Sequence, residues 1–198
     1  MFKQVLYAIR VLDLAPGWSA YAGRLLGDLG AEVIKVEPPS GDPLRGTPDF
    51  ERLNANKYGC TIEGGAIERL AAVSDVVIAP PDALGFDALM AAKPTLIVVS
   101  LPVDAGAVQC IAAAAGVGVA LWDRRRTGAG SRIDVASAGA GVLPGPRAEP
   151  VREAVSTPAG ERQVESLPWR LSESPTHIRL PAPGLGEHNE YVFGELLA

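Results

Sequence analysis

The sequence has few of the residues that build disulfide frameworks, metal centres and nucleic-acid surfaces. It contains two cysteines, Cys60 and Cys110, and two histidines among 198 residues. Two distant cysteines predict free thiols in a reducing compartment, and together with two histidines they do not predict a metal site. The net charge is -5 and the lysines and arginines are scattered. Nucleic acid is therefore not expected as a partner.

The sequence also lacks a clear signal for export or for membrane insertion. Its first ten residues have only a short apolar core and no small-residue cleavage site, unlike a signal peptide. Residues 105–122 carry no charge and precede three arginines, a pattern shared by membrane spans and buried helices. Because alanine and glycine dominate this stretch, we predict a buried helix in a cytoplasmic protein, with Gly116 and Gly118 allowing close approach of a neighbouring element.

The most regular part of the sequence is residues 10–37, which predict a strand, a helix and a second strand. Residues 10–14 are mainly aliphatic, apolar residues recur at helical spacing from Tyr21 to Leu29, and Gly30 ends that helix. A crossover of this length is almost always right-handed between parallel strands. Strands predicted at 58–62, 75–79, 95–100 and 132–136 alternate with further helices at 66–73 and 86–92. The fold class is therefore α/β, with a Rossmann-like, mainly parallel sheet and flanking helices.

The turn at the carboxyl end of the first strand is the best candidate for a binding site. Ala15, Pro16 and Gly17 form it, and the unpaired N–H groups and positive dipole end of the following helix favour an anion there. Ser19 is expected to cap that helix. The fingerprint G-x-G-x-x-G is absent, which argues against a nicotinamide or flavin site.

Glu37, at the end of the second strand, has two interpretations. It could accept hydrogen bonds from a ribose, as an acidic residue does in dinucleotide-binding folds. It could equally pair with Lys35 or Arg45, as carboxylates commonly do.

Composition divides the chain into three parts. We predict a Rossmann-like domain over 1–137, a Gly/Pro-rich linker or irregular excursion over 138–162, and a C-terminal part over 163–198 that packs back on the domain. Within the last part, residues 163–171 and 176–180 are predicted to pair as a hairpin, and a helix is expected from about His188 onward.

Several blocks, in order, resemble the class III CoA-transferases, the family of formyl-CoA transferase, carnitine CoA-transferase and α-methylacyl-CoA racemase. The longest is GDLGAEVIKVEPPSGDPLR, at residues 27–45. Others are N-A-N-K at 54–57, S-D-V-V-I at 74–78, L-I-V-V-S at 96–100, R-R-R-T-G-A-G at 124–130 and G-E-H-N at 186–189.

This resemblance implies a domain that cradles coenzyme A, with acyl-CoA as substrate, in an interlocked homodimer or with a companion subunit of the family. The family binds CoA at the turn after the first strand and with the lysine of N-x-N-K. Its N-F-R segment is replaced here by residues 79–82, which end in Asp82 and should weaken binding. The residues expected to bind the cofactor are Ala15, Pro16, Gly17, Lys35, Glu37, Asn56 and Lys57.

Catalysis is the open question, because the family's small domain is largely missing from the sequence. Counting back from the R-R-R-T-G block places the family's nucleophilic aspartate at Gly106, and Asp104 lies two positions earlier. Asp104 is either a substitute nucleophile or the N-cap of the long helix. Two hypotheses follow. One is an enzyme that transfers CoA between carboxylic acids through an aspartyl mixed anhydride, or performs racemase-type chemistry; the other is a non-catalytic CoA-binding or scaffolding protein.

Overall fold

A six-stranded parallel sheet organises the chain. The structure, a computed structural model, describes residues 4–62, 65–135, 152–157, 160–165 and 178–197. The strands are β1 (Arg10–Asp13), β2 (Glu32–Glu37), β3 (Lys57–Thr61), β4 (Val76–Ala79), β5 (Ile97–Ser100) and β6 (Arg132–Asp134). They lie in the order β3-β2-β1-β4-β5-β6, and every neighbouring pair is parallel. This is the doubly wound order of dinucleotide-binding folds, and the predicted α/β class is confirmed.

Helices cover both faces of the sheet. They are a 3-10 turn (Gly17–Ala20), α1 (Tyr21–Asp28), α2 (Pro48–Asn54), α3 (Ala66–Val73), α4 (Phe86–Ala92), α5 (Ala107–Thr127) and a C-terminal π-helical segment (Glu190–Leu196). Helices α1 and α5 pack on one face, whereas α3, α4 and the π-helical segment pack on the other. Because both faces are buried, the inner strands β4 and β5 are almost continuously apolar.

Helix α5 joins the core through its small residues. A Cβ on Gly116 would meet the Ile133 side chain of β6 at 3.3 Å, so the predicted close approach at Gly116 is confirmed. The same expectation for Gly118 is wrong, since no atom of the described residues lies within 4 Å of a Cβ built there. The helix ends at Gly128, which is left-handed at φ 75°. Among the described residues no helix meets the length and hydropathy needed to cross a bilayer.

The segment after the sheet differs from its prediction. Strands β7 (Arg152–Thr157) and β8 (Gly160–Glu165) form an antiparallel hairpin, so part of the expected irregular stretch 138–162 is regular strand. The predicted pairing of 163–171 with 176–180 is wrong for residues 163–165, which pair with β7 instead. Residues 136–151 and 166–177 of these predictions lie outside the described residues.

Helix α2 was not anticipated, although its start carries a recognisable signal. Thr47 is the N-cap, its hydroxyl accepts a hydrogen bond from the Phe50 N–H at 3.3 Å, and Pro48 occupies the first helical position. This short helix brings Asn54 beneath the turn that follows β1, as described below.

The G-E-H-N block closes the outer edge of β3. The N–H of Gly59 donates to His188 Nδ1 at 3.1 Å, and the N–H of Thr61 donates to Asn189 Oδ1 at 2.9 Å. The His188 N–H donates in return to the Gly59 carbonyl at 2.9 Å, and the His188 ring stands edge-on to Tyr58. The predicted terminal helix is present in π-helical form.

Candidate functional site

The chain order of the strands fixes where a ligand would bind. From β1 the chain builds β2 and β3 on one side and then crosses to β4, β5 and β6 on the other, so the order reverses between β1 and β4. In open α/β sheets, ligands bind outside the carboxyl ends of the strands at such a reversal. The turn Ala15–Pro16–Gly17 lies there, and the Leu14 N–H donates to the Ile78 carbonyl of β4 at 2.8 Å.

Gly17 has the open backbone that the sequence predicts, but a carboxylate of the same chain binds its amide. Gly17 is left-handed at φ 56°, and within the part of the chain that the structure describes no atom lies within 4 Å of a Cβ built there. Its N–H donates to Asp42 Oδ2 at 3.0 Å. Asp42 therefore takes the position in which an external anion was expected.

Lys35 holds Asp42 in that position. Its buried ammonium lies 2.8 Å from Asp42 Oδ2 and donates to the Ala15 carbonyl at 3.1 Å. Burial raises the pKa of Asp42, but the Lys35 ammonium and the N–H groups of Leu44 and Gly17 outweigh it and leave that pKa below its ordinary value. Lys35 therefore reaches the turn from below and neutralises an internal carboxylate.

Glu37 lies behind this pair and is occupied by Arg45. The Arg45 guanidinium donates through Nε at 2.7 Å and through its second nitrogen at 2.5 Å, and the Asp42 N–H donates to the same carboxylate at 2.8 Å. Of the two interpretations of Glu37, the structure shows the ion pair with Arg45. A ribose could reach Glu37 only by displacing that bidentate contact.

Lys57, another of the expected cofactor residues, is completely buried. Its side chain is 0% exposed, and its ammonium donates to Asp13 Oδ2 at 2.8 Å, to the Ala20 carbonyl at 2.6 Å and to Asn54 Oδ1 at 3.0 Å. An ammonium has three protons, so these acceptors use all of them. Burial lowers the pKa of Lys57 to about 8, partly offset by the Asp13 carboxylate.

The Lys57 cluster supports the turn from beneath. Asp13 Oδ1 also accepts the Ala15 N–H at 3.0 Å, so one carboxylate joins the lysine to the turn. Gly23 must be a glycine here, because a Cβ would lie 2.3 Å from Asp13 Oδ2. In this conformation Lys57 acts on a ligand only by positioning Asp13 and the turn, and direct contact with a phosphate is not available to it.

Asn56 anchors the C-terminal segment instead of facing the turn. It is left-handed at φ 62°, and its side-chain oxygen accepts the N–H groups of Arg179 at 2.5 Å and Leu180 at 3.0 Å. Its side-chain nitrogen donates to Asp28 at 2.6 Å, beside the Arg24 guanidinium. Burial raises the pKa of Asp28, and these two partners offset that only in part.

Asp104 does not cap α5. The N-cap is Gly106, which makes no side-chain capping bond, and Asp104 lies exposed in the turn two residues earlier. Ser19 does not cap α1 either: its hydroxyl lies within the 3-10 turn and donates to the Pro16 carbonyl at 2.6 Å. The first turn of α5 nevertheless lies against this region, because Cys110 Sγ is 3.7 Å from the carbonyl oxygens of Trp18 and Ser19.

Two features, one beside the turn and one at the start of α2, were missed by sequence reasoning. Trp18 is 49% exposed beside Gly17, with the Arg52 guanidinium 5.0 Å from its ring centre. A cavity of about 530 Å³ lies between the start of α2 and residues 181–187, lined by Arg45, Phe50 and Pro183 among others. A lone tryptophan in a turn carries no periodic signal, and the cavity depends on segments far apart in sequence.

Comparison with known proteins agrees with the fold and identifies the family. The family described as CoA-transferase family III matches residues 6–103. A probable CoA-transferase of Mycobacterium tuberculosis is 40% identical over 86 residues, covering 34% of this chain and 11% of that protein. The succinate–glutarate CoA-transferase of Agrobacterium fabrum is 34% identical over 99 residues, covering 38% of this chain and 25% of that protein.

The match therefore spans a quarter or less of the length of these two relatives. Among solved structures, a CaiB/BaiF family protein from Brucella suis superposes with a TM-score of 0.77 at 18% identity, over 98% of this chain and 100% of that one. At that identity the likeness shows a shared fold. The sequence match and the doubly wound sheet lead to one conclusion: residues 6–103 of this chain are a segment of CoA-transferase family III.

Proposed function

We propose that this chain binds acyl-CoA at the carboxyl edge of the sheet, around the turn Ala15–Pro16–Gly17. The observation that carries the proposal is the open, left-handed Gly17 at the reversal point between β1 and β4, within the segment that matches the family. A glycine without neighbours above it lets a ligand approach the backbone closely. Acyl-CoA is the substrate class to which the family points.

The structure changes which groups would make direct contacts. Lys35, Glu37, Asn56 and Lys57 are buried and bonded within the chain, so we assign them to the support of the turn. Direct contacts would come from the partly exposed backbone of Pro16 and Gly17 and from the exposed indole of Trp18, whose ring offers a face for stacking.

For an enzyme, we assign the nucleophile to Asp104. In the proposed reaction its carboxylate oxygen attacks the thioester carbonyl carbon, the carbon–sulfur bond breaks, and CoA leaves as a thiolate, so that Asp104 and the acyl group form a mixed anhydride. An acceptor carboxylate then attacks the aspartyl carbonyl carbon of that anhydride and releases the donor acid as its carboxylate. The CoA thiolate attacks the acyl carbon of the new anhydride, which forms the product thioester and frees the Asp104 carboxylate. Because the Agrobacterium fabrum relative is named for succinate and glutarate, succinyl-CoA is the donor to test first.

The second candidate is a CoA-binding protein without catalysis. Gly106 at the counted nucleophile position favours it, since a glycine has no side chain to form an anhydride. Both candidates require CoA binding, and only the first requires a reactive Asp104. The proposal also includes a cytoplasmic location and assembly as a homodimer or with a companion subunit of the family.

Titration calorimetry with CoA and succinyl-CoA tests binding, and hydroxylamine trapping with succinyl-CoA tests for the anhydride. We expect binding in the micromolar to millimolar range, and for the enzyme a hydroxamate at Asp104 detected by peptide mass spectrometry. Asp104→Asn should abolish trapping and leave CoA binding intact, whereas the control Asp123→Asn, at an exposed site far along α5, should change neither. Binding without trapping selects the second candidate, and no binding at millimolar concentration overturns both.

A further inference from the structure

The lysines beneath the turn that is proposed to hold CoA are not accessible to a ligand. Lys35 is buried and pairs with Asp42, and Lys57 is buried and pairs with Asp13. The Gly17 N–H also donates to Asp42. CoA carries a diphosphate and a 3′-phosphate, and phosphates bind best to cationic hydrogen-bond donors. The phosphates therefore need cations on the surface that adjoins the turn.

A cavity of about 460 Å³, lined by three arginines, lies between α2 and the hairpin of β7 and β8. Arg52 comes from α2, Arg152 from β7 and Arg162 from β8. The hairpin is anchored by a small apolar cluster that includes Val155 and Val164. Guanidinium groups from three elements thus converge on one cavity. Their planar, forked donors match the oxygen atoms of a phosphate.

Arg52 connects this cavity with the turn. Its guanidinium lines the cavity and lies 5.0 Å from the centre of the Trp18 ring, next to Gly17. The backbone carbonyl of Arg52 accepts a hydrogen bond from the buried Arg24 guanidinium at 2.7 Å, which fixes this part of α2. A ligand that lies on Trp18 can therefore extend past Arg52 into the cavity.

Two carboxylates also line the cavity and compete for its guanidinium groups. Asp49 accepts a hydrogen bond from Arg52 at 3.3 Å, and Glu51 pairs with Arg162. Both ion pairs are partly exposed, and exposed pairs are weak in water, so a phosphate with more than one charge can displace them. The three arginines against these two carboxylates leave the lining with an excess of positive charge.

We propose that the phosphate groups of CoA bind to Arg52, Arg152 and Arg162 in this cavity, while the thioester end lies at the turn beside Trp18. This inference rests on the proposed function, because it concerns the same ligand. It gives the hairpin of β7 and β8 a direct part in CoA binding. It also accounts for a polyanion at a turn whose amide and lysines already bind carboxylates of the chain.

Titration calorimetry of the full chain with CoA tests the arginines. Arg152→Gln should weaken CoA binding about tenfold, because it removes a charged hydrogen-bond donor. The matched control is Arg125→Gln, the same change at an exposed site of α5. The neighbouring Arg124 contacts Asp75 and Thr95 at the amino ends of β4 and β5, far from the turn. The control should leave CoA affinity unchanged.

Removing a competing carboxylate should have the opposite effect. Glu51→Gln releases the Arg162 guanidinium and removes a like charge from the phosphates, so it should tighten CoA binding about threefold to tenfold. If the Arg162–Glu51 pair only held the hairpin on α2, the same variant would melt at a lower temperature and bind CoA no more tightly. Thermal melting, monitored by circular dichroism, verifies that each variant folds.

Pantetheine, which lacks all the phosphates, separates this inference from the proposed function. Arg152→Gln should weaken the binding of CoA and leave that of pantetheine unchanged. Equal losses for both ligands, unchanged CoA affinity in Arg152→Gln, or no gain in Glu51→Gln overturns the phosphate site and leaves CoA binding at the turn in place. A wild-type chain that binds no CoA at millimolar concentration overturns the proposed function and this inference together.

Discussion

Replacing Lys57 by methionine should destabilise the fold far more than it weakens CoA binding. The substitution removes the ammonium shared by Asp13, Asn54 and the Ala20 carbonyl, and leaves the Asp13 carboxylate buried without a counter-charge. Breaking a buried pair in this way costs about 3–5 kcal/mol. For a chain of this size that corresponds to a fall in melting temperature of about 10 °C or more.

Urea and thermal unfolding, monitored by circular dichroism, measure the loss of stability in Lys57→Met. The control Lys93→Met removes a partly exposed ammonium that donates to the carbonyls of Ala72 and Ser74, and should cost about 1 kcal/mol. The double variant Asp13→Asn/Lys57→Met removes both charges and keeps an acceptor for the Ala15 N–H. It should therefore recover a large part of the stability that Lys57→Met loses.

The stability difference between the wild type and Lys57→Met should depend on pH, because the pKa of Lys57 is lowered in the folded chain. In the folded chain Lys57 titrates at about 8, below the ordinary value of 10.5, so between these values the unfolded chain holds more protons. Stability contributed by this group therefore increases as pH rises from 8 toward 10.5, and the difference between wild type and Lys57→Met should widen. An unchanged unfolding midpoint combined with lost CoA binding would refute the buried role and return Lys57 to the ligand surface.

Three further predictions follow from the buried groups. Asp42→Asn should lower stability at neutral pH and flatten the pH dependence of stability below about pH 4. The reason is that a carboxyl group with a lowered pKa loses its contribution to stability as pH falls through that pKa. Equal acid unfolding curves for the variant and the wild type would contradict this. Gly130→Ala should lower the free energy of unfolding by about 3 kcal/mol, because the new Cβ would lie 1.9 Å from a backbone carbonyl oxygen. Gly118→Ala has open space and should raise the free energy of unfolding by about 1 kcal/mol through helix propensity. Unfolding titrations that rank the two variants in the other order would disprove this packing. Burial raises the pKa of Cys60 to about 12 and that of Cys110 to about 11. Neither thiol should therefore react with Ellman's reagent at pH 8 until urea unfolds the chain. Rapid labelling of the native protein would show instead that the thiols are accessible.

The sheet was predictable because its signals are local. Short apolar runs define β4 and β5, helical periodicity defines α1, and glycines mark the ends of α1 and α5. The hairpin of β7 and β8 was misplaced because its strands alternate weakly and its turn lacks an Asn-Gly or Asp-Gly pair.

The site was less predictable, because its roles depend on partners distant in sequence. The turn itself follows from the strand and the helix around it. A lysine is exposed in most proteins, and the burial of Lys57 depends on Asp13, which is 44 positions away. In the same way, nothing local to Asp42 indicates that its carboxylate binds the Gly17 amide. Sequence patterns located the edge of the sheet, and tertiary contacts decided which side chains face it.

The contacts of His188 and Asn189 with β3 bear on the solubility of the protein. A parallel sheet of this kind ends in a strand whose outward amides and carbonyls can recruit a foreign strand and seed aggregation. Here two side chains and one amide of the C-terminal segment already bind the Gly59 and Thr61 groups on that border. These C-terminal contacts thus cover the edge strand β3 and hinder the addition of a foreign strand to the sheet.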